Sequence, residues 1–373
     1  MINSEKIKKV LLNGDTKNIP VVNFGFWTET LRKWTSEGHI PKGEILERPM
    51  ADIEYDRIGR ELGFDFNWHI YYGLDQYILD PVFDEKILET YPDGKQKILD
   101  REGAIVLKKP GIASIPSEIG HTLMDRKSWE EQYLPRLKFT NETIDDNLMK
   151  KLKAEDENRD RPIAVFCGSI FGRVRNWLGL EGLSYMAVDD EELLKEIIDT
   201  VGDFCYKGVE KALSYGIKFD YGHFWEDMCY NNGPLVRPKL FDELATPHYS
   251  RITALLKKHG IELVSVDCDG QIDSLVPTWL NSGIRIMFPI EIGNWNGNII
   301  SLRKKYGNYL LGVGGVDKSI FGKDYKAIDN ELERLRRFVD AGGYIPCPDH
   351  RIPPDAIWEN VQYYCDRFKK IYQ

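Results

Sequence analysis

No CxxC pair occurs among the six cysteines of this chain, Cys167, Cys205, Cys229, Cys268, Cys347 and Cys365. Their wide spacing indicates neither a disulfide framework nor a zinc ribbon, and a reduced, cytoplasmic protein is the simplest expectation. Long apolar runs are missing too: none approaches the roughly 20 residues a membrane helix needs. The opening stretch, MINSEKIKKVLLNGD, is charged throughout and has no signal-type apolar segment. Positive charge is in deficit, with 50 Lys plus Arg against 59 Asp plus Glu and a net charge of -9. That balance excludes a general binder of nucleic acid or anionic membrane, which needs clustered cations to replace counterions. No GxGxxG follows an early strand, so a dinucleotide-binding open sheet is unsupported.

What is present is a globular composition over 373 residues, 42% hydrophobic, 12% aromatic and 29% charged. The segment NIPVVNFGFW (18–27) reads as a strand feeding a helix, TETLRKWTSEG, that Gly38 closes. Residues 82–124 alternate apolar and polar positions around PDG and REG, the signature of a hairpin or meander inserted on a larger frame. Its role is open between covering one edge and forming a substrate lid. Beyond Trp129 short apolar runs alternate with amphipathic helices: IAVFCGS (163–169), IKFDYGHFWED (217–227), IELVSVDCDG (261–270), IRIMFPIEIG (284–293), YLLGVGGVD (309–317) and GYIPCPDH (343–350). Repeated βα units predict a parallel sheet buried on both faces. The expected fold is α/β: a single (β/α)8 TIM barrel over 1–373, with an N-terminal extension and the β insertion at 82–124.

In such a barrel the active site lies where strands end. The strand ends here carry Ser169, His223 with Glu226 and Asp227, Asp267 with Asp269, Glu291, Asp317, and Asp349 with His350. Each alone is equally well read as a helix cap or loop residue. Together they would crowd like charges at one mouth, which calls for protons or a cation. Glu226, Asp267 and His350 form an expected zinc-binding set of two carboxylates and an imidazole. Alternation places Cys268 on the opposite face from Asp267 and Asp269, hence in the core. His350 alternatively hydrogen-bonds loop carbonyls as a neutral ring. His223 and His69 lie among aromatics and are weaker metal candidates. Phe26, Trp27, Tyr72, Trp177, His223 and Trp225 are the expected substrate wall, although aromatics of this kind are ordinarily core.

The stretches VDCDGQIDSLVPTWLNSGIRIMFPIEIG, LRKKYGNYLLGVGGVDKS and GGYIPCPDHRIPPDAIWENVQYY resemble the uroporphyrinogen decarboxylase superfamily. The likeness extends to FWEDMCYNNGPLVRPKLF and GSIFGRVRNWLGLEGLSY and covers roughly 160–370. It implies a (β/α)8 barrel whose activity is either porphyrin decarboxylation or methyl exchange with corrinoid proteins, often zinc-dependent. True decarboxylases of the family carry an RQAGR-like signature after the first strand; here VVNFGFWTETLRK puts Gly25 and Glu29 at about the arginine positions. Tyr72 falls near the family's pyrrole-binding aspartate, Trp177 near its tyrosine, and His350 keeps its C-terminal histidine. Without the arginines, an acidic mouth would repel a substrate with eight carboxylates. Thiol-activating methyltransferases of the family use a His-x-Cys pair and a later Cys; Asp267, Asp269 and His350 stand in their place.

The resemblance therefore implies an O-demethylase-type methyltransferase. A zinc ion on Glu226, Asp267 and His350 would polarise a methoxyl C–O bond, with Asp269 or Glu291 orienting or protonating the leaving oxygen. The expected partners are a small methoxylated substrate and a corrinoid protein as methyl acceptor. Neither nucleic acid nor membrane is expected, and homodimerisation is left open. The alternatives are a decarboxylase of uroporphyrinogen or another small carboxylate, with His350 and Asp269 handling the proton, and a non-catalytic binder of a tetrapyrrole or corrinoid protein.

Overall fold

Five runs beyond residue 160 are buried at every position, which suits strands covered on both faces. In the computed structural model, residues 3–43, 45, 52–109, 116–293 and 295–373 are described. Along the chain the strands are β1 (Val22–Asn23), β2 (Phe66–Asn67), β3 (Tyr71–Gly73), β4 (Lys86–Thr90), β5 (Gln96–Leu99), β6 (Ala104–Lys108) and β7 (Ser117–His121). They continue as β8 (Ala164–Gly168), β9 (Tyr221–Trp225), β10 (Cys229–Tyr230), β11 (Gly233–Pro234), β12 (Leu263–Asp267), β13 (Ile286–Ile290), β14 (Leu311–Val316) and β15 (Tyr344–Pro348). One sheet, in the order β15-β14-β13-β12-β9-β8-β3, is parallel throughout, so each strand lies beside its predecessor in the βα series. Helices fill the crossovers. Tyr325–Asp340, between β14 and β15, is capped by the Asp324 carboxylate on the Ala327 amide and buries Ile328, Leu332, Leu335 and Val339.

The expected closed eight-stranded ring is realised only in part. β1 and β2 form a separate parallel pair, Val22 opposite Phe66 and Asn23 opposite Asn67. Beside β15, contact is made past the strand end, where Ile352 donates to the Gly25 carbonyl (3.0 Å) and accepts from the Trp27 amide (3.3 Å). Two asparagines account for the interruption. The Asn23 side chain accepts from the Gly25 amide and the Asn67 side chain from the His69 amide, 2.8 Å each. Such Asx turns take backbone out of the ladder. The second breaks β2 from β3 at Trp68–Ile70.

β4 to β7 make a four-stranded antiparallel meander; residues 110–115 of that insertion lie outside the described residues. The meander is anchored at its β5–β6 turn. There the buried Glu102 pairs with Arg173 in the first turn of helix Phe171–Asp189.

Asp156 ties the helix Asp146–Glu155 to the approach to β9, accepting from Arg159 Nε (3.0 Å) and the Lys218 amide (2.9 Å). Burial pushes its carboxyl up, but the Lys218 amide and Arg159 outweigh burial and hold it below the usual 3.8. Asp156→Asn is expected to lose about 1.5–3 kcal/mol at neutral pH, the worth of hydrogen bonds to a charged group. A lowered folded pKa contributes stability that is full above the unfolded value and lost as pH falls through the folded one. Urea titrations at several pH values should therefore show wild type and variant converging below about pH 3.8.

Candidate metal centre

Alternation decides which strand residues face the interior of the sheet. On β9 the inward set is Tyr221, His223 and Trp225: Tyr221 stacks on Trp68 and His223 on Tyr71 (5.2 Å), whereas Phe224 packs against Tyr249 of the helix Pro238–Lys258. On β12 the register sets Ser265 beside His223 and Asp267 beside Trp225. His69 enters from the turn between β2 and β3. Its Nε2 lies 3.1 Å from Asp267 Oδ2 and its Nδ1 3.2 Å from Asp52 Oδ2. Asp52, from the helix Asp52–Leu62, receives both arms of the Arg351 guanidinium at 2.9 and 2.7 Å, and Asn67 at 3.2 Å. Gly25 has φ +85° beside this pair, and a Cβ there would run into both Asp52 and Arg351.

Donor atoms of His69, His223 and Asp267 all lie within 4.8 Å of one another, on residues that are 5%, 0% and 3% exposed. Ser265 Oγ lies 2.7 Å from His223 Nδ1 and 3.4 Å from the Gly222 carbonyl, so it engages the far side of the ring. The other nitrogen, Nε2, has no hydrogen-bond partner among the described residues. Burial, then the nearby His69, pushes His223 well below the usual histidine range and keeps it neutral. For His69 burial acts downward, but the bonds to Asp267 and Asp52 outweigh it and raise the pKa. Burial lifts the Asp267 carboxyl to about 7 against the pull of His69.

A buried, unpartnered imidazole nitrogen is costly unless something accepts its lone pair. Two imidazoles and a carboxylate, each imidazole held at its far nitrogen by Asp52 or Ser265, are the ligand and supporting-shell pattern of a divalent metal site with open positions. These residues fit a metal. His69 bridges Asp52 and Asp267 through its two ring nitrogens.

Around this core stand further acidic groups. Asp227 Oδ1 accepts from the Asp269 amide (3.1 Å), and Glu291 Oε2 from the Gly270 amide (2.6 Å). Burial lifts Asp227 and Asp269 to about 6, each with a further push from neighbouring carboxylates. His350 stacks on Trp27 (5.3 Å) with Nε2 3.6 Å from Asp269 Oδ2. Burial, then Lys318 and Arg351, pushes it down to about 4, so it is neutral.

The predicted trio Glu226, Asp267 and His350 is not brought together. Glu226 follows the inward Trp225 and turns to the helix side. There it is fully buried and accepts from the amides of Ile170, Phe171 and Gly172 (2.9, 2.9 and 2.8 Å) at the positive end of the helix Phe171–Asp189. Both its oxygens are spent. His350 is stacked rather than ligating, close to Asp269. Asp269 and Glu291 stand at the mouth. Of the predicted substrate wall, Trp27 and Trp225 are there, Trp225 under the guanidinium groups of Arg173 and Arg175 (5.7 Å each). Three members are displaced. Tyr72 points away from the interior, accepting from Arg161 (3.3 Å). Phe26 packs edge-on against Trp34 (5.6 Å), and Trp177 is fully buried beside Tyr133 (5.4 Å). Their neighbours Tyr71 and Phe24 face inward instead, onto His223 and His350. His223, expected as wall and as a weaker metal candidate, stands beside His69 and Asp267. Asp52 and Arg351 were missed, and only the adjacency of Arg351 to His350 in PDHR offered a signal.

The profile of the uroporphyrinogen decarboxylase (URO-D) family matches residues 125–371, which include His223, Asp267 and His350 but neither Asp52 nor His69. Among solved structures, a methyltransferase from Methanosarcina mazei is similar in fold at TM-score 0.63 and 13% identity, covering 100% of both chains. A Listeria monocytogenes protein described as a vitamin-B12-independent methionine synthase gives TM-score 0.42 and 12% identity over 95% of this chain and 97% of its own, too distant to carry an argument. No curated protein sequence matches the chain.

Proposed function

The chain belongs to the uroporphyrinogen decarboxylase family, and from that premise we propose that it moves a methyl group from a small methoxylated substrate to a corrinoid protein. The metal ion, with zinc as first choice, would be held by His69, His223 and Asp267. The observation that carries this reading is the buried, unpartnered Nε2 of His223 beside His69 and Asp267. When bound, such an ion supplies Lewis-acid activation of the leaving oxygen. Asp52 and Ser265 hold the two imidazoles in one orientation. Phe24, Trp27, Tyr71 and Trp225 offer flat apolar surface for an aromatic ring, and Asp269 or Glu291 can deliver a proton to the departing oxygen.

Porphyrinogen decarboxylation is the weaker reading, because it needs cations for several carboxylates. The arginines around the mouth already face carboxylates: Arg173 at Glu102, Arg351 at Asp52, and Arg175 with Asp227 at 3.9 Å.

The test is an assay of zinc-loaded protein with methoxybenzoates and cob(I)alamin standing in for the corrinoid protein. Formation of methylcobalamin and free phenol in equal amounts supports the proposal. A loaded protein that demethylates none of them overturns it, and carbon dioxide release from a porphyrinogen would install the decarboxylase in its place. Within the same assay Trp27→Ala is expected to raise KM by roughly tenfold, the order of one lost aromatic contact. Tyr72→Phe, altered on the far face of β3, should leave KM unchanged.

A further inference from the structure

We propose that the site is a two-cation centre in which the Asp267 carboxylate is shared between a nitrogen-rich half with His69 and His223 and an all-oxygen half with Asp227 and Asp269. This deepens the functional reading above and rests on it for the first cation alone.

Two sets of donors support the arrangement. Besides the His69, His223 and Asp267 atoms, one oxygen each from Asp227, Asp267 and Asp269 lie within 4.8 Å of one another, so Asp267 belongs to both sets. Three carboxylates this close repel unless protonated or bridged by cations. The basic groups at hand are few, and His69, 3.1 Å from Asp267 Oδ2, serves that carboxylate alone of the three. Arg175 stands 3.9 Å from Asp227 Oδ2, and the neutral His350 3.6 Å from Asp269 Oδ2. Lys318 turns to Asp349 at 4.0 Å.

The nitrogen half carries its own sign of a ligand, the unpartnered Nε2 of His223, a residue with no exposure at all beside Asp267, the carboxylate common to both halves. In the oxygen half, Asp269 Oδ1 is inaccessible to solvent and has no hydrogen-bond partner among the described residues. One ion at the histidines would leave Asp227 and Asp269 with only the more distant Arg175 and Lys318 to offset them. A second divalent ion, of a kind content with oxygen ligands such as Mn2+ or Zn2+, balances them. Two-metal sites place their ions about 3.5–4 Å apart, a span one bridging carboxylate covers.

The experiment strips the full-length protein with chelator, then titrates Zn2+ alone and Mn2+ alone, reading stoichiometry by calorimetry and elemental analysis. Two equivalents are expected in wild type, and the Mn2+ form should show an exchange-coupled electron paramagnetic resonance spectrum, a readout that needs no variant. Asp227→Asn with Asp269→Asn should bind one equivalent, with a native thermal transition. A single equivalent in wild type at saturation overturns the two-cation centre while leaving the functional reading standing. So do two equivalents that survive the double substitution. No binding at all removes both.

Discussion

His223→Phe is expected to abolish stable metal loading while the protein keeps its fold. The ring it replaces is neutral, fully buried and stacked on Tyr71, so phenylalanine preserves the packing; Ser265 keeps its bond to the Gly222 carbonyl. What disappears is the unpartnered Nε2. Loss of a residue that only supports a ligand weakens metal binding by about 10–100-fold, and loss of a ligand itself should exceed about 100-fold. Competition with a chromophoric chelator measures the affinity, and circular dichroism checks the fold. Undiminished affinity would mean that His223 merely packs.

A second large effect is expected at Asp52. This carboxylate joins Arg351 to His69 in a region only 5% exposed at each of the three residues. Burial pushes its pKa up, but Arg351 and His69 outweigh burial and hold it well below the usual carboxylate range. Asp52→Asn removes the charge and leaves the Arg351 guanidinium buried without a counterion, at a cost of about 3–5 kcal/mol. Replacing both partners, Asp52→Leu with Arg351→Met, should recover much of that loss, because no charge then stays buried. The sign of the pH dependence follows from the lowered pKa. The contribution of Asp52 is full above the unfolded value of 3.8 and fades as pH drops below it, so the single variant's deficit narrows only in strong acid. Denaturant midpoints of the three proteins at two pH values check both claims. A single variant as stable as wild type at pH 7 would contradict the pairing.

The parallel strands were readable because they are apolar along their whole length, and the acidic strand ends because they follow those runs directly. The choice among neighbours was the weak step. Facing alternation placed Cys268 opposite Asp267 and Asp269, and Cys268 is indeed buried away, touching the Met228 amide through its sulfur. Applied equally to His223 and Trp225, that rule puts Glu226 on the helix side, and applied to Tyr71 it turns Tyr72 outward. One residue of register separates Glu226 from Trp225 and Tyr72 from Tyr71.

His69 stood only as a weaker candidate, and Asp52 was missed, for other reasons. Alternation has no meaning in the turn at Trp68–Ile70, and nothing in a helix start announces a carboxylate that will meet an arginine 299 positions away. The ring's incomplete closure rests on two asparagine side chains, and asparagine looks the same in a strand sequence whether it ends the ladder or decorates it.

The break between β2 and β3 also sets the orientation of a reactive group. A residue in an unbroken strand presents its side chain along a direction dictated by its neighbours' spacing, and a flat ring there seldom reaches partners on two opposite sides. Leaving the ladder frees the His69 backbone to aim the imidazole edgewise, one nitrogen toward the centre and one toward a buried anion. Regular architecture is given up at the one place where chemistry needs an angle that the sheet cannot provide.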